Sequence, residues 1–376
     1  MPTPNEDPPD LEDALLRRAT RTAAPAIIRS GREAMSVELA LTVFRQMLRT
    51  RALEERSIKM SKSGEAYFWI GGPGEEAFNV CLGLQVHKGR GPAYDYLHLH
   101  YRNAGILLAM GMPMIDHTRQ LAMRWTDRHS RGRNFVGHYA IPEWNVVPVT
   151  SVIEVQHAMA PGTALVQKRH GLKNPDENEG ITIVVGGEAG TAEGDFETCL
   201  NWSTRPDNEL PVLILVTNNR FGISTDLDTV HTHRPIADRA IPYGIRNETI
   251  DGNDPVATWN AIDRAMRYCR RERKPFLLEA MVSRLHGHSS SSGAQRNWQE
   301  VDPLTSFEQK LIDAGAIDAV AVRTMKDEVK KEADDAVVQT MKEAEPTRDD
   351  VYAFTYAPSD VDAVYPKDYT GLPGVR

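Results

Sequence analysis

Cysteine is scarce in this chain. Three occur among 376 residues, Cys81, Cys199 and Cys269, and no spacing among them suits a disulfide or a zinc site. They read as small buried hydrophobes, and a reducing cytoplasm is the expected compartment. Long apolar runs are lacking too, since no stretch approaches the roughly 18 residues a membrane helix needs. Positive charge is in deficit: 44 Lys and Arg face 52 Asp and Glu, a net charge of −8. That sign argues against nucleic acid or an anionic membrane as partner. No G-x-G-x-x-G follows the first core strand, so a nucleotide-binding Rossmann domain fits poorly. The opening residues, MPTPNEDPPDLED, are acidic and Pro-rich, unlike a secretory or mitochondrial leader.

What is present suffices for one large α/β domain with appendages, because 41% of residues are hydrophobic. Residues 1–35 lack sustained periodicity and read as a flexible arm. Ser36 caps a helix with apolar positions Leu41, Phe44, Leu48 and Ala52 that ends near Gly64. Tyr94–Tyr101 alternates like a strand, and a Met-rich helix is expected between Pro113 and Arg131. The runs Ile181–Val185, Pro211–Val216 and Phe276–Val282 are short and β-branched or aromatic, as in buried parallel strands. Helices over Gly194–Trp202 and from Asp254-Pro255 onward, the latter with a Val256, Trp259, Ile262, Met266 and Cys269 stripe, flank them. The fold class is therefore α/β, a mostly parallel sheet flanked by helices over residues 36–300. Residues 301–376 form a helical extension, striped by Met325, Val329, Ala333, Val337 and Met341, and an aromatic tail suited to clasping a partner.

Three strand ends carry polar chemistry. The first stops at Gly186-Gly187-Glu188, the second at Asn218-Asn219, and the third leads into Arg284-Leu285-His286-Gly287-His288-Ser289. Ligands of open α/β sheets sit beyond such carboxyl ends. Taken singly, Glu188 is a loop acid and the Asn pair a turn. Together, Glu188 and the Asn219 side-chain oxygen are two hard donors for Mg²⁺, which completes its octahedron from water and substrate phosphates. Phosphates find free N–H groups where the following helix begins.

Two glycines and an acid, followed about thirty residues later by Asn-Asn, resemble the thiamine diphosphate motif. More narrowly, GEAGTAEGDFE…NNRFGIST is similar to the alpha subunit of the 2-oxo acid dehydrogenase component that decarboxylates pyruvate or branched-chain oxo acids. The likeness covers roughly Ser36 to Glu343. It implies a thiamine diphosphate-binding fold. It also implies Mg²⁺ held by Glu188, Asn219 and the backbone carbonyl of Phe221, with Gly187, Ala189 and Gly190 at the cofactor. YRNAG resembles the family's diphosphate-binding element, which assigns Tyr101 and Arg102. Ser151 and Ile153 match the residues that hold the cofactor's central part. RLHGHS resembles the pyruvate-type loop, which makes His288 the catalytic, cofactor-contacting histidine and gives Arg284 the ordering of that loop or of the diphosphate. GPGEEA is nearer the branched-chain form and makes Phe68 a wall of the substrate channel. His138, in a segment similar to the family's His-Tyr loop, is read as structural. Ala189 departs from the family, which has Gly there, and a methyl at that point would crowd a backbone approaching phosphate.

The same resemblance implies partners. A beta subunit in an α₂β₂ heterotetramer supplies the acid for the pyrimidine ring, and a lipoyl-bearing acyltransferase takes the acyl group from the 2-oxo acid substrate. Acetoin dehydrogenase alpha subunits share every one of these motifs. A cofactor-free structural subunit, cued by Ala189, also remains open.

Overall fold

The computed structural model describes residues 27–351. The chain enters as an antiparallel hairpin, β1 (Ile27–Ser30) and β2 (Glu33–Ser36). This corrects the expected arm over part of its length. Ile28 and Met35 are buried, and the Ser30 hydroxyl donates to the Asp254 carboxylate. Four-residue strands are too short to display a period, so long-range contact decides them. The rest of the arm, like the tail after residue 351, lies outside the described residues.

Helix α1 (Val37–Ser63) starts and stops where its residues dictate. Ser36 Oγ accepts the Leu39 N–H at 3.2 Å, and Gly64 closes the helix with φ of +79°. Then come α2 (Glu76–Gly83), β3 (Tyr96–His98), α3 (Ala104–Ala109) and α4 (Met114–Leu121). β3 is shorter than the alternation suggests. Asp95 is taken by side-chain bonds to the Ile181 and His87 amides, and the chain turns after His98. α4 is likewise shorter than expected, ending before Met123, whose φ is +50°.

The sheet is assembled from the second half of the chain. Its elements are α5 (Val155–Lys173), β4 (Thr182–Gly187), α6 (Gly194–Ser203) and β5 (Val212–Asn218). A small hairpin of β6 (Phe221–Gly222) and β7 (Thr225–Asp226) precedes β8 (Arg246–Asp251), α7 (Pro255–Glu272) and β9 (Phe276–Met281). The strand order is β3-β4-β5-β9-β8, parallel throughout. Side chains alternate between two cores, as a strand period of two requires. Ile183, Val185, Leu213 and Leu278 join the core of α1, α2 and α7, whereas Val184, Ile214, Val216 and Leu277 join that of α5 and α6.

Two further helices, α8 (Pro303–Asp313) and α9 (Ala319–Thr340), pack on α1. Phe44 meets Phe307 edge-on at 6.2 Å, and Arg49 pairs with Glu332 at 2.6 Å. The helical extension thus shares the main core rather than hanging beside it. Among the described residues, no helix is long and apolar enough to cross a membrane.

Register positions the site. Gly187 of β4 pairs with Thr217 of β5, and Asn218 with Met281 of β9. The residues that follow leave the sheet level with one another.

Candidate active site

Glu188 leaves β4 buried, and its Oε2 accepts the Asn219 N–H at 3.3 Å. The Asn219 side-chain oxygen in turn accepts the Phe221 N–H at 3.1 Å. The acid therefore meets the backbone of Asn219, and the Asn219 side chain closes the turn to Phe221. Behind them Arg102 donates to Glu75 Oε1 at 2.6 Å and to the Tyr101 hydroxyl at 3.0 Å. Burial pushes both carboxyls, Glu75 and Glu188, above their ordinary range, and the Arg102 guanidinium opposes it. Two acids thus face one guanidinium. One oxygen of each, Glu75 Oε2 and Glu188 Oε1, is buried with no hydrogen-bond partner among the described residues. A buried, unpaired carboxylate oxygen is costly unless a cation meets it. The donor set fits a hard divalent ion at Glu188.

A cavity of about 430 Å³ opens onto this cluster. Phe68, Tyr101, Arg102, Ser151, Ile153, Gly187, Glu188, Ala189, Gly190, Phe221 and His288 all line it. Asn219 and Arg284 border an adjoining cleft shared with Glu75, Arg102 and His288. A larger groove of about 730 Å³ between α1 and α9 has a charged rim and neither Glu188 nor His288, so the chemistry belongs to the smaller hollow.

Several side chains explain their own positions. An added Cβ at Gly187 would stand 2.8 Å from Arg102 Nη2, so any larger residue there would have to push the guanidinium aside. The Ala189 methyl faces Gly222, where any second Cβ would lie 2.6 Å away, so the β6–β7 turn makes room for it. Ile153 is not core: it is half-exposed on the cavity wall. Arg284 stacks on the Phe221 ring at 5.1 Å and donates to the Ile223 carbonyl at 2.7 Å, so it fastens the β6–β7 turn. His288 stands edge-on to Tyr101 at 5.9 Å. Burial, then the Arg102 and Arg284 charges, lowers its imidazole to about 4, which leaves it neutral at pH 7.

Sequence reasoning missed several members. Glu75 was legible only as a helix-start acid, and His100, stacked on Tyr101 at 3.8 Å, carried no signal beyond the alternating run. Glu154 is buried with φ of +61°, and His157 Nδ1 lies 2.5 Å from its carboxylate, off hydrogen-bond alignment. Nothing in a single sequence announces that pairing. His138, read as a structural loop residue, also lines the cavity. It accepts from Ser151 Oγ at 2.5 Å in the tautomer whose Nδ1 donates to the Phe135 carbonyl, an assignment made from those partners.

The model of a protein family described as "Dehydrogenase E1 component" matches residues 44–348. The chain belongs to the dehydrogenase E1 component family. It is 30% identical over 298 residues to the 2-oxoisovalerate dehydrogenase subunit alpha of Bacillus subtilis (strain 168), covering 77% of this chain and 87% of that protein. The mitochondrial 2-oxoisovalerate dehydrogenase subunit alpha of Mus musculus is 27% identical over 328 residues, 85% of this chain and 71% of its own length. Its counterpart alpha 2 from Arabidopsis thaliana is 26% identical over 331 residues, 86% and 67% respectively. As an E1 component of alpha type, the chain is the thiamine diphosphate-dependent, decarboxylating oxidoreductase part of a 2-oxo acid dehydrogenase, and implies a beta subunit as partner.

Proposed function

We propose that this chain is the cofactor-anchoring half of an E1 component acting on branched-chain 2-oxo acids, in an α₂β₂ heterotetramer that passes its acyl group to a lipoyl-bearing acyltransferase. The 2-oxoisovalerate in the names of the relatives supports that substrate class over acetoin. Three free, buried cysteines fit a reducing cytoplasm.

Glu188, the Asn219 side-chain oxygen and the Phe221 carbonyl hold Mg²⁺ in this reading. Arg102 and Tyr101 would hold the diphosphate, and Arg284 fastens the β6–β7 turn through Phe221 and Ile223. Ser151, steadied by His138, and Ile153 orient the middle of the cofactor, with Gly187, Ala189 and Gly190 at its anchoring end. When bound, thiamine diphosphate supplies the nucleophilic carbon and the electron sink for loss of CO₂ from a 2-oxo acid. This chain's part is to bind, to orient and to exclude water, while the neutral His288 imidazole would donate its N–H as a hydrogen bond to the substrate carbonyl oxygen. Phe68 walls the channel by which substrate arrives.

The observation that carries the reading is the orphaned Glu188 Oε1, on a carboxylate whose other oxygen is held by the Asn219 backbone N–H. It also speaks against a cofactor-free structural subunit, which would have no use for an unpaired buried oxygen. The test is a thiamine diphosphate titration of the alpha–beta complex with and without Mg²⁺. Binding should require the metal, and Glu188→Gln should weaken it by at least the roughly 10–100-fold typical of groups around a metal. Absence of binding in the complete complex would overturn the assignment.

A further inference from the structure

One acid interrupts the apolar run of β9. Glu279 is wholly buried and stands, by the strand period, on the same face as Leu277, towards the core of α5 and α6. Its Oε1 accepts the Asn218 side-chain N–H at 2.7 Å, and its Oε2 accepts the Ala237 amide at 3.0 Å and the Thr249 hydroxyl at 3.2 Å. All three donors are uncharged, and they sit on the end of β5, the short 3₁₀ helix Ile236–Tyr243 and β8. Uncharged donors offset the burial of a carboxylate only in part, so an apolar side chain would cost the fold less. Glu279 lines neither the cavity nor the adjoining cleft. Whatever it does for the site runs through its hydrogen-bond partners.

The bond to Asn218 has a directional consequence. A carboxylate accepts and cannot donate, so the Asn218 amide turns its nitrogen to Glu279 and its oxygen away. That oxygen accepts the Arg220 N–H at 3.0 Å. Arg220 has φ of +69°, a left-handed backbone that a side-chain-bearing residue holds only when its surroundings impose it. The turn so made carries Asn219, whose N–H meets Glu188, and Phe221, whose N–H closes on the Asn219 side-chain oxygen. The helix Ile236–Tyr243 reaches the other side of the same place. Arg239 in it donates to the Thr191 carbonyl, and the Thr191 hydroxyl donates to the Glu188 carbonyl at 2.6 Å. Glu279 thus braces the turn after Asn218 directly and the turn after Glu188 at one remove.

We propose that Glu279 is a positioning residue for the metal site, setting the rotation of the Asn218 amide and, through it, the Arg220 turn that places Asn219 and Phe221. The inference rests on the functional reading above, in which those two residues and Glu188 hold Mg²⁺. Glu279→Gln exposes the mechanism. With Ala237 and Thr249 still donating to one end of the new amide, its NH₂ faces Asn218. Asn218 must flip to answer it, and the flip takes the side-chain oxygen away from the Arg220 N–H.

The experiment measures the Mg²⁺ concentration that half-saturates thiamine diphosphate binding to the alpha–beta complex, with denaturant unfolding of each alpha chain alongside. Glu279→Gln should raise it about tenfold or more, as for groups that orient metal ligands. Asn218→Asp sets two carboxylates face to face and should also weaken the metal, although it brings a negative charge nearer the site. The exchanged pair, Asn218→Asp with Glu279→Gln, restores one carboxylate against one amide, the new acid accepting from the glutamine and from the Arg220 N–H. Its half-saturation should return to within about threefold of wild type. Thr249→Val removes a bond to Oε2 without touching Asn218, and should lower stability while leaving the Mg²⁺ requirement unchanged. An unchanged requirement in Glu279→Gln overturns the proposal. So does tighter metal binding by Asn218→Asp, which would make charge rather than orientation the cause, or equal weakening by Thr249→Val, which would make it general packing. Where Glu279→Gln does not assemble, the exchanged pair decides: wild-type Mg²⁺ dependence supports the brace and a weakened one overturns it. A wild-type complex that binds the cofactor without Mg²⁺ overturns the functional reading instead, and this inference falls with it.

Discussion

Glu54 lies wholly inside the molecule, where it accepts hydrogen bonds from the Trp69 indole at 2.9 Å and the Gly72 amide at 3.3 Å. Burial pushes its carboxyl up to about 7, those two bonds pull it down, and the Glu76 and Glu75 charges add to the rise. A folded-state pKa above the unfolded one means that the native chain binds the proton more tightly. The associated stability is complete below about 4.5 and is lost as pH rises through about 7, on the order of 3 kcal/mol in all. Buried His98 and part-buried His288, both lowered to about 4, and buried His117, lowered to about 3, contribute the opposite slope below about pH 6.5. The comparison is therefore between wild type and Glu54→Gln in denaturant unfolding at pH 5, 6, 7 and 8. Their difference in unfolding free energy should move by a few kcal/mol in favour of the variant towards pH 8. Parallel profiles would show that Glu54 ionises at its ordinary value. His288 is tested separately: His288→Asn should cost about 10²–10⁴ in kcat of the alpha–beta complex, with cofactor affinity changing far less. A loss confined to cofactor affinity would make it a binding residue alone. At this scale Glu188, Asn219 and His288 were legible because each follows a recognisable strand. Glu75, Glu154 and His157 were not, since each acquires its partner through the fold.

Among the elements, the end of β4 shows how much depends on small residues. The Glu154 carboxylate, presented by a left-handed backbone at the start of α5, lies where a Cβ on Gly186 or Gly190 would have to go, at 2.6 and 2.1 Å. Gly190→Ala should destabilise the chain by about 1–3 kcal/mol through overpacking and weaken cofactor binding by displacing the turn after Glu188. The Glu154→Ala, Gly190→Ala pair should restore part of both, because the two side chains compete for one space. Strict additivity in unfolding and titration measurements would refute that coupling. Caps made α1 and α7 readable almost to the residue: Ser36 and Gly64 for one, Asp254 accepting the Val256 N–H at 2.8 Å for the other. β8, Arg-Asn-Glu-Thr-Ile-Asp, went unnoticed because it is an edge strand with polar side chains, parallel to β9 and defined by that pairing alone. The β1–β2 hairpin escaped for a similar reason, since its order comes from Ser30 reaching Asp254 across the fold.

For the molecule as a whole, the surface around the cavity mouth decides what the chain can do by itself. Phe135, Val152, Ile153 and Ile223 are each half-exposed or more, at 52, 65, 50 and 55%. Three of them line the cavity, and Val152 sits between two residues that do. Apolar side chains gathered at the rim of a polar site suit a surface that another subunit covers. A covering subunit would dry the cavity, strengthening every charge interaction at Glu188 and Arg102. The isolated alpha chain should therefore show no decarboxylation above background, with activity appearing on addition of beta subunit and saturating at one beta per alpha. Val152→Asp discriminates between a real interface and incidental exposure. In the lone chain Val152 already faces water, so the change should leave unfolding within about 0.5 kcal/mol of wild type. Against the beta subunit it buries an unpaired carboxylate, and the assembly constant measured by sedimentation or light scattering should weaken at least tenfold. Undiminished assembly by Val152→Asp would place the partner elsewhere, and turnover by alpha alone would show that this chain completes its site unaided.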